Sequence, residues 1–356
     1  MNIEENMTSD AQMLIERFGA EPVKDLKEIP ECYTFQKGLI YSHRDFDKFF
    51  EALKKGKKCA IVSGLNPSGT LHIGHKIVFD TNLFFQKKYG IPVFIPLSED
   101  ETYVTGKVKS QSEGLQNALK LAKELLAYGF DPKKTYFIID QVYTNIYNLA
   151  IKYSIGTNLS TIKRIFGYEL ENNPGLFFYP VVQTAHILLP TELIKAEYIL
   201  VPIGPDEDTH IRISREIAQK FKLNKPAITH SVFLPGLTGT KMSASKPETA
   251  IFLSDDEKTI RKKIMSSFSG GQETISEHKK KGGNPSNDIA CIYLSKLFYD
   301  EKQSNKLISD YSSGKLLSSE VKGLFADEII KFVNKFQKSL IKVKKKDLDK
   351  CILKNR

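Results

Sequence analysis

The chain has 356 residues, 41% hydrophobic and 26% charged, with a formal net charge of +10; it is long enough for two domains and a large core, and the charge favours a polyanionic partner. Cys32, Cys59, Cys291 and Cys351 lie far apart with no Cys-x-x-Cys pair, which argues against a zinc knuckle or redox pair and fits a reducing cytosol. The polar start, Met1 to Ala20, lacks a signal-peptide core, and no apolar run approaches the ~20 residues of a membrane span, so the expectation is a soluble, cytoplasmic protein.

Residues 1–41 read as an extension, with Met13, Leu14 and Phe18 at helical spacing before Gly19. Ser42-His43-Arg44-Asp45 is expected to open an amphipathic helix through Phe46, Phe49, Phe50 and Leu53, closed by Gly56. Cys59 to Val62 is a short apolar run, the pattern of a buried parallel strand. It enters a Pro/Gly turn at Asn66 to Gly69, a helix ending near Gly90, and a second strand at Ile91 to Leu97. Strand, turn, helix and strand make a βαβ unit, hence an α/β fold with a parallel sheet. A helix follows from about Ser112 to Tyr128, with Leu115, Leu119, Ala122 and Leu126 on one face. Tyr136 to Ile139 is a strand, Asn145 to Tyr168 mostly helix, Tyr198 to Val201 a strand, and Asp208 to Phe221 a helix. After Asp255 the pattern is helical and lysine-rich, and a domain boundary is expected there. Lys342 to Lys346 is a basic segment that reads as a solvated helix end.

Two stretches carry chemistry. Pro67-Ser68-Gly69-Thr70-Leu71-His72-Ile73-Gly74-His75 lies between a strand and a helix. A turn there offers free N–H groups and a positive dipole end to phosphate. His72 and His75, three apart, share a helix face, and Gly74 has no Cβ to obstruct a nucleotide. Either histidine alone would more often be structural; the whole string in this context is specific. It is not a Walker-type loop. In the second stretch, Gly239-Thr240-Lys241-Met242-Ser243-Ala244-Ser245, Lys241 sits in a glycine-flanked loop. A compact cation on such a loop can close over pyrophosphate as charge develops, with Ser243 and Ser245 as added donors. Between them, Gly204-Pro205-Asp206-Glu207-Asp208 follows a strand. Its acids could be helix-dipole partners or magnesium ligands.

Together the two stretches resemble the HIGH and KMSKS signatures of class I aminoacyl-tRNA synthetases. Ser42 to Asp47, Ser98 to Glu101, Phe177 to Pro180 with Gln183, Phe233 to Leu237, Lys241 to Leu253, and Phe268 to Gly271 with Gly282-Gly283 are similar to tryptophanyl-tRNA synthetases of the archaeal and eukaryotic branch. The Met-Ser-Ala-Ser form of the second signature fits that group. The resemblance covers nearly the whole chain. It implies a Rossmann-like catalytic domain at 42–255, with a helical insertion at about 98–180, and an all-helical anticodon-binding domain at 256–356. It implies that His72, His75 and Lys241 are catalytic. ATP would meet Pro67, Ser68, Gly74, Gly204, Asp206, Met242, Ser243 and Ser245 besides Lys241. Asp206 would take the ribose, leaving Asp208 to cap the following helix. The amino-acid pocket would comprise Val62, Glu101, Tyr179, Gln183, His186 and Glu207, with Glu101 and Gln183 around the ammonium and carboxylate.

Three pocket positions depart from relatives. Val62 replaces a tyrosine, Pro96 a glutamine that meets the indole N–H, and His186 an aspartate of the bacterial enzymes. A neutral His186 could accept the indole N–H; its alternative is a packed helix residue. The expected activity is tryptophan–tRNA ligation. ATP and L-tryptophan give the adenylate, and the acyl group moves to tRNA(Trp). Mg2+ would accompany the triphosphate without a protein cage, and the enzyme would be a homodimer, with Phe268 or Tyr293 stacking on RNA. The rivals are a tyrosyl enzyme of the same fold and a non-catalytic RNA-binding paralogue. Amino-acid-dependent ATP–pyrophosphate exchange separates all three.

Overall fold

The computed structural model describes residues 2–240, 242 and 246–355. The chain forms two compact units, neither of them one continuous segment. The larger comprises Met13–Gly69, Ile77–Ser231 and Lys342–Arg356; the smaller comprises Met1–Gln12, Thr70–Lys76 and Val232–Ile341.

The larger unit is built on a seven-stranded sheet: β1 (Glu21–Pro22), β2 (Ile40–Arg44), β3 (Cys59–Val62), β4 (Val93–Pro96), β5 (Thr135–Ile138), β6 (Tyr198–Ile203) and β7 (Ala227–Ser231). The order is β1-β2-β7-β6-β3-β4-β5. Strands β7, β6, β3, β4 and β5 run parallel, and β2 and β1 extend the β7 edge antiparallel. From β3 the chain builds outward to β4 and β5, then returns to the other side of β3 for β6. That reversal opens a crevice at the carboxyl ends of β3 and β6, where ligands bind in open α/β sheets. Strands β3 and β4 are buried at every position, as parallel strands covered on both faces must be.

Ser42 to Asp45 does not open a helix. Ile40–Arg44 is β2, and the helix begins at Phe46 and ends at Lys54. Asp45 sits between them at φ 52, a left-handed residue that breaks the extended run. The polar run looked like a solvent-facing cap, but Ser42 and His43 are buried, and Ser42 Oγ lies 2.9 Å from Nδ1 of His230 on β7. The helix Gln111–Tyr128 is where its periodicity placed it, but its buried face is Gly114, Ala118, Leu121, Ala122 and Leu125; Leu115, Leu119 and Leu126 are only half-buried. Small residues lead because the backbone comes close: a Cβ on Gly114 would lie 3.3 Å from the Glu99 carbonyl oxygen.

The helix Pro174–Ile194 was legible only as isolated motifs, since Pro180 and Pro190 lie inside it. Asn173 caps it by accepting from the Leu176 amide, and Pro174 occupies the first turn. From Tyr179 to Pro190 it is buried at every residue but Gln183, as a helix stretch apolar on all sides must be. Residues 342–356 return to the larger unit. Ile352 bridges Phe137, and the Leu353 amide donates to the Phe137 carbonyl at 2.9 Å.

In the smaller unit the described residues beyond Asp255 form helices and no strand. They include Glu257–Met265, Ile275–Lys281, Glu301–Ser312 and Ser318–Lys342. Asp288 ties this unit together: it accepts from the Cys291 amide at 3.0 Å, the Gly270 amide at 3.0 Å, Ser269 Oγ at 3.0 Å and Tyr311 Oη at 2.8 Å.

Candidate active site

A cavity of about 290 Å³ opens at the carboxyl ends of β3, β4 and β6 in the larger unit. Val62 and Pro96, the last residues of β3 and β4, and Val201 and Ile203 of β6 supply apolar wall. Glu101, Gln183, His186 and Glu207 supply the polar groups. The helix Pro174–Ile194 explains two of these. Between Tyr179 and Pro190 only Gln183 is not buried, and its amide reaches the cavity. His186 lies three residues on, on the same helix face. Its Nε2 is 2.7 Å from Oδ1 of Asp140, and both side chains are buried. Tyr179 does not line the cavity: it is buried, with its ring 6.4 Å from that of His186.

Sequence reasoning missed Asp140, Glu99, Asn66 and Ser98. The last two also line the cavity. Asp140 lies two residues beyond β5, after Ile139, with no motif around it. Glu99 is fully buried; burial first and the Asp140 carboxylate second push its pKa up to about 8. Its Oε1 accepts from the Gln141 amide at 2.7 Å, while Oε2 is buried without a hydrogen bond. Asp100 accepts from Tyr147 Oη and is also raised, chiefly by burial. Glu101 is raised by burial too, against the opposing pull of Lys107. Of these acids Glu101 is the one that reaches the cavity.

The smaller unit holds Thr70 to His75 of the first signature and the described residues of the second. His72 is the N-cap of a tight turn, Ile73–His75, that leads into the helix Lys76–Tyr89. The first signature is knitted to the stretch that follows the second: His72 pairs antiparallel with Phe252, the Ile73 amide donates to Ile251 at 3.0 Å, and the Leu253 amide to Leu71 at 2.8 Å. The His72 and His75 rings lie 4.0 Å apart, centroid to centroid. Nδ1 of His72 accepts from the Gly74 amide at 3.1 Å, which leaves the neutral ring's proton on Nε2. Burial lowers His72 to about 3, with His75 adding to the shift, and burial lowers His75 to about 4. Both rings are therefore neutral hydrogen-bonding groups at neutral pH. Gly74 serves the local packing: a Cβ there would lie 2.8 Å from the His72 ring and 3.1 Å from Met242 Sδ. Lys241, Ser243 and Ser245 lie outside the described residues.

The remaining site residues belong to the larger unit. Pro67 is buried and Ser68 exposed in the turn after β3. Gly204 caps the short turn Pro205–Glu207 that follows β6, and Asp206 is exposed on it. Asp208 does not cap the next helix. It is fully buried, accepts from Arg44 Nε at 2.7 Å and Nη2 at 2.9 Å, and lies 3.0 Å from His230 Nε2. These partners hold its carboxyl well below the usual range, against the opposing effect of burial. Such a paired, hydrogen-bonded charge is structural.

Two further expectations change. Tyr293 is fully buried and donates to the Pro235 carbonyl at 2.7 Å, so its ring has no face for a base; Phe268 is 44% exposed. The glycines of Phe268 to Gly271 and of Gly282-Gly283 are packing devices. A Cβ on Gly270 would lie 2.1 Å from the Asn284 carbonyl oxygen, and Gly282 has φ 74 with Ser312 oxygen 1.7 Å from its Cβ position. Among the described residues no group of three or more His, Cys, Asp or Glu could hold a metal ion, and no helix is long and apolar enough to cross a membrane.

Known proteins share this arrangement. A tryptophan–tRNA ligase of Methanocaldococcus jannaschii is 38% identical over 336 residues, 91% of this chain and 90% of its own. One of Sulfolobus acidocaldarius is 34% identical over 348 residues, 94% of this chain and 90% of its own. Among solved structures, a tryptophanyl-tRNA synthetase from Aeropyrum pernix K1 superposes with a TM-score of 0.89 at 27% identity, over 100% of each chain. One from Encephalitozoon cuniculi, bound to tryptophan, gives 0.86 at 29% identity, over 97% of this chain and 98% of its own. Residues 54–334 match the family described as tRNA synthetases class I (W and Y). The parallel sheet with its crevice and the paired signatures thus have their counterpart in known enzymes, and the chain belongs to the W and Y class I tRNA synthetases.

Proposed function

We propose that this chain is a tryptophan–tRNA ligase and that the cavity at the carboxyl ends of β3, β4 and β6 seats the L-tryptophan. One observation carries the assignment of the cavity: Glu101, Gln183 and His186, residues from two separate helices, converge on one apolar-walled space. Glu101 opposes the ammonium, Gln183 lies beside the carboxylate, and His186 accepts the indole N–H. Val62, Pro96 and Val201 pack against the ring, Glu207 lies at the cavity wall, and Tyr179 supports the pocket from behind. At about 290 Å³ the cavity is near the lower end, roughly 300 Å³, of ligand pockets, suited to one amino acid. Smaller side chains would forfeit burial at about 25 cal/mol per Å² and leave His186 unpaired.

The chemistry is positioning and charge stabilisation. The tryptophan carboxylate attacks the α-phosphorus of ATP and pyrophosphate leaves. A hydroxyl of the 3′-terminal adenosine of tRNA(Trp) then attacks the carbonyl carbon and AMP leaves. Neutral His72 and His75 hydrogen-bond the phosphates, and Lys241 neutralises the departing pyrophosphate. Gly204 and Asp206 take the ribose, while Pro67, Ser68, Gly74, Met242, Ser243 and Ser245 complete the nucleotide contacts. Magnesium enters with the triphosphate. The helical segment 256–356 grips the anticodon by its basic surface, with Phe268 as a stacking side chain. The enzyme works as a homodimer in the cytoplasm; four buried, unpaired cysteines support a reducing compartment.

Amino-acid-dependent ATP–pyrophosphate exchange tests this directly. Tryptophan alone should stimulate exchange, and Glu101→Gln should raise its KM by ~10²-fold by removing a charge-assisted hydrogen bond. Exchange stimulated by tyrosine instead would make the chain a tyrosyl enzyme. Exchange with neither would make it a silent RNA-binding paralogue.

A further inference from the structure

We propose that Asp140 is a positioning residue that fixes His186 as a hydrogen-bond acceptor, and that this buried pair selects amino acids whose ring carries an N–H donor. The inference rests on the tryptophan assignment and adds the device that makes it specific.

The geometry begins with two buried side chains. Asp140 is 0% and His186 2% exposed, and Nε2 lies 2.7 Å from Oδ1. A carboxylate only accepts, so the proton of the neutral imidazole is held on Nε2. The second nitrogen, Nδ1, then carries a lone pair. It has no hydrogen-bond partner among the described residues and is not sealed from solvent, and His186 lines the cavity. Nδ1 is therefore an acceptor opening on the ligand space.

The cavity's other polar groups do different work. Glu101 and Glu207 are acids suited to the ammonium, and Gln183 offers both amide groups. Val62 and Pro96 are apolar and offer no side-chain acceptor. Asn66 and Ser98 also line the cavity, but an amide and a hydroxyl can each donate as well as accept, so the uncharged group there that offers an acceptor and no donor is Nδ1 of the histidine. Without Asp140 its tautomer would be free, and the Nδ1–H form would present a donor to a donor. The Asp140 carboxylate also acts on two further acids, adding to the burial that raises Glu99 and Asp100. Asp140 Oδ2 is itself buried without a hydrogen bond, so the carboxylate has no other described partner than the ring it orients.

The test compares tryptophan with its isosteres in which the ring N–H is replaced by oxygen or sulfur, in ATP–pyrophosphate exchange. The unaltered enzyme should prefer tryptophan by ~10²-fold or more in kcat/KM, since an unpaired buried acceptor is costly. Asp140→Asn can donate to Nε2 and move the proton to Nδ1. It should raise KM for tryptophan with little change in kcat, and the preference over the isosteres should collapse. A purely structural role would lower use of all three substrates alike. If Asp140→Asn fails to fold, nitrogen-15 NMR of histidine-labelled unaltered enzyme decides, with His186→Gln identifying the signal. An unprotonated Nδ1 and protonated Nε2 support the pairing. An imidazolium, an Nδ1–H form, or equal use of tryptophan and its isosteres overturns it while leaving tryptophan activation standing. Absence of any tryptophan-dependent exchange would instead overturn the functional assignment.

Discussion

At the scale of single residues, the two signature histidines show how burial sets chemistry. Half-buried in the smaller unit and lowered by desolvation to about 3 and about 4, they would meet phosphate as neutral rings, whereas histidine in an unfolded chain titrates near ~6.5. The sign of the linkage follows. Their folded values are depressed, so below ~6.5 the unfolded chain binds protons that the folded one refuses, and stability falls as pH drops from there toward 4. Replacing both, His72→Gln with His75→Gln, should make the urea midpoint fall less between pH 7 and pH 5 than in the unaltered chain. Equal falls in the two proteins would show that these rings are not desolvated. The position of both histidines was legible in the sequence, because a Pro/Gly turn between strand and helix has few other uses. The dyad behind the pocket was not. Asp140 has no local pattern around it; its meaning comes only from a helix 46 residues later. The same holds for Asp208, whose partners Arg44 and His230 lie 164 and 22 residues away.

At the scale of elements, apolar strands were easy to read and polar ones were not. Strands β3, β4, β5 and β6 were all anticipated, since continuous apolar runs bounded by turns have one economical explanation. Strands β2 and β7 were missed: Ser42, His43, Thr229 and His230 are buried polar residues, of which Ser42 and His230 pair across the sheet, and hydropathy alone scores them as surface. The opposite error is instructive on the helices Asn145–Ser154 and Leu159–Phe166. The stretch was expected to be mostly helix and is, yet Ile151 is 61%, Ile155 83% and Leu159 55% exposed. Three large exposed aliphatic side chains within nine residues are the kind of surface that soluble proteins cover with a partner, and the proposed homodimer would supply one. Ile155→Asp should therefore shift the protein from dimer to monomer in sedimentation velocity without changing its helical circular dichroism. A dimer that persists in this variant would move the interface elsewhere.

At the scale of the whole molecule, charge and pocket predict opposite responses to salt. The chain carries a net charge of +10, and contacts to RNA phosphates release counterions, so affinity for tRNA should fall steeply with ionic strength. For six to ten phosphates the loss is ~10³-fold or more between about 50 and 200 mM salt. Tryptophan enters as a zwitterion with no net charge, into a cavity whose Glu101 is largely buried, where screening is weak. Its affinity should change by no more than about twofold over the same range. The chain contains no tryptophan, so all indole emission in a mixture with the amino acid belongs to the ligand. Transfer into the apolar cavity should shift that emission to the blue, which gives the binding curve without a label. A tryptophan affinity that collapses in salt along with the tRNA affinity would place the amino acid on the exposed basic surface and not between β3, β4 and β6.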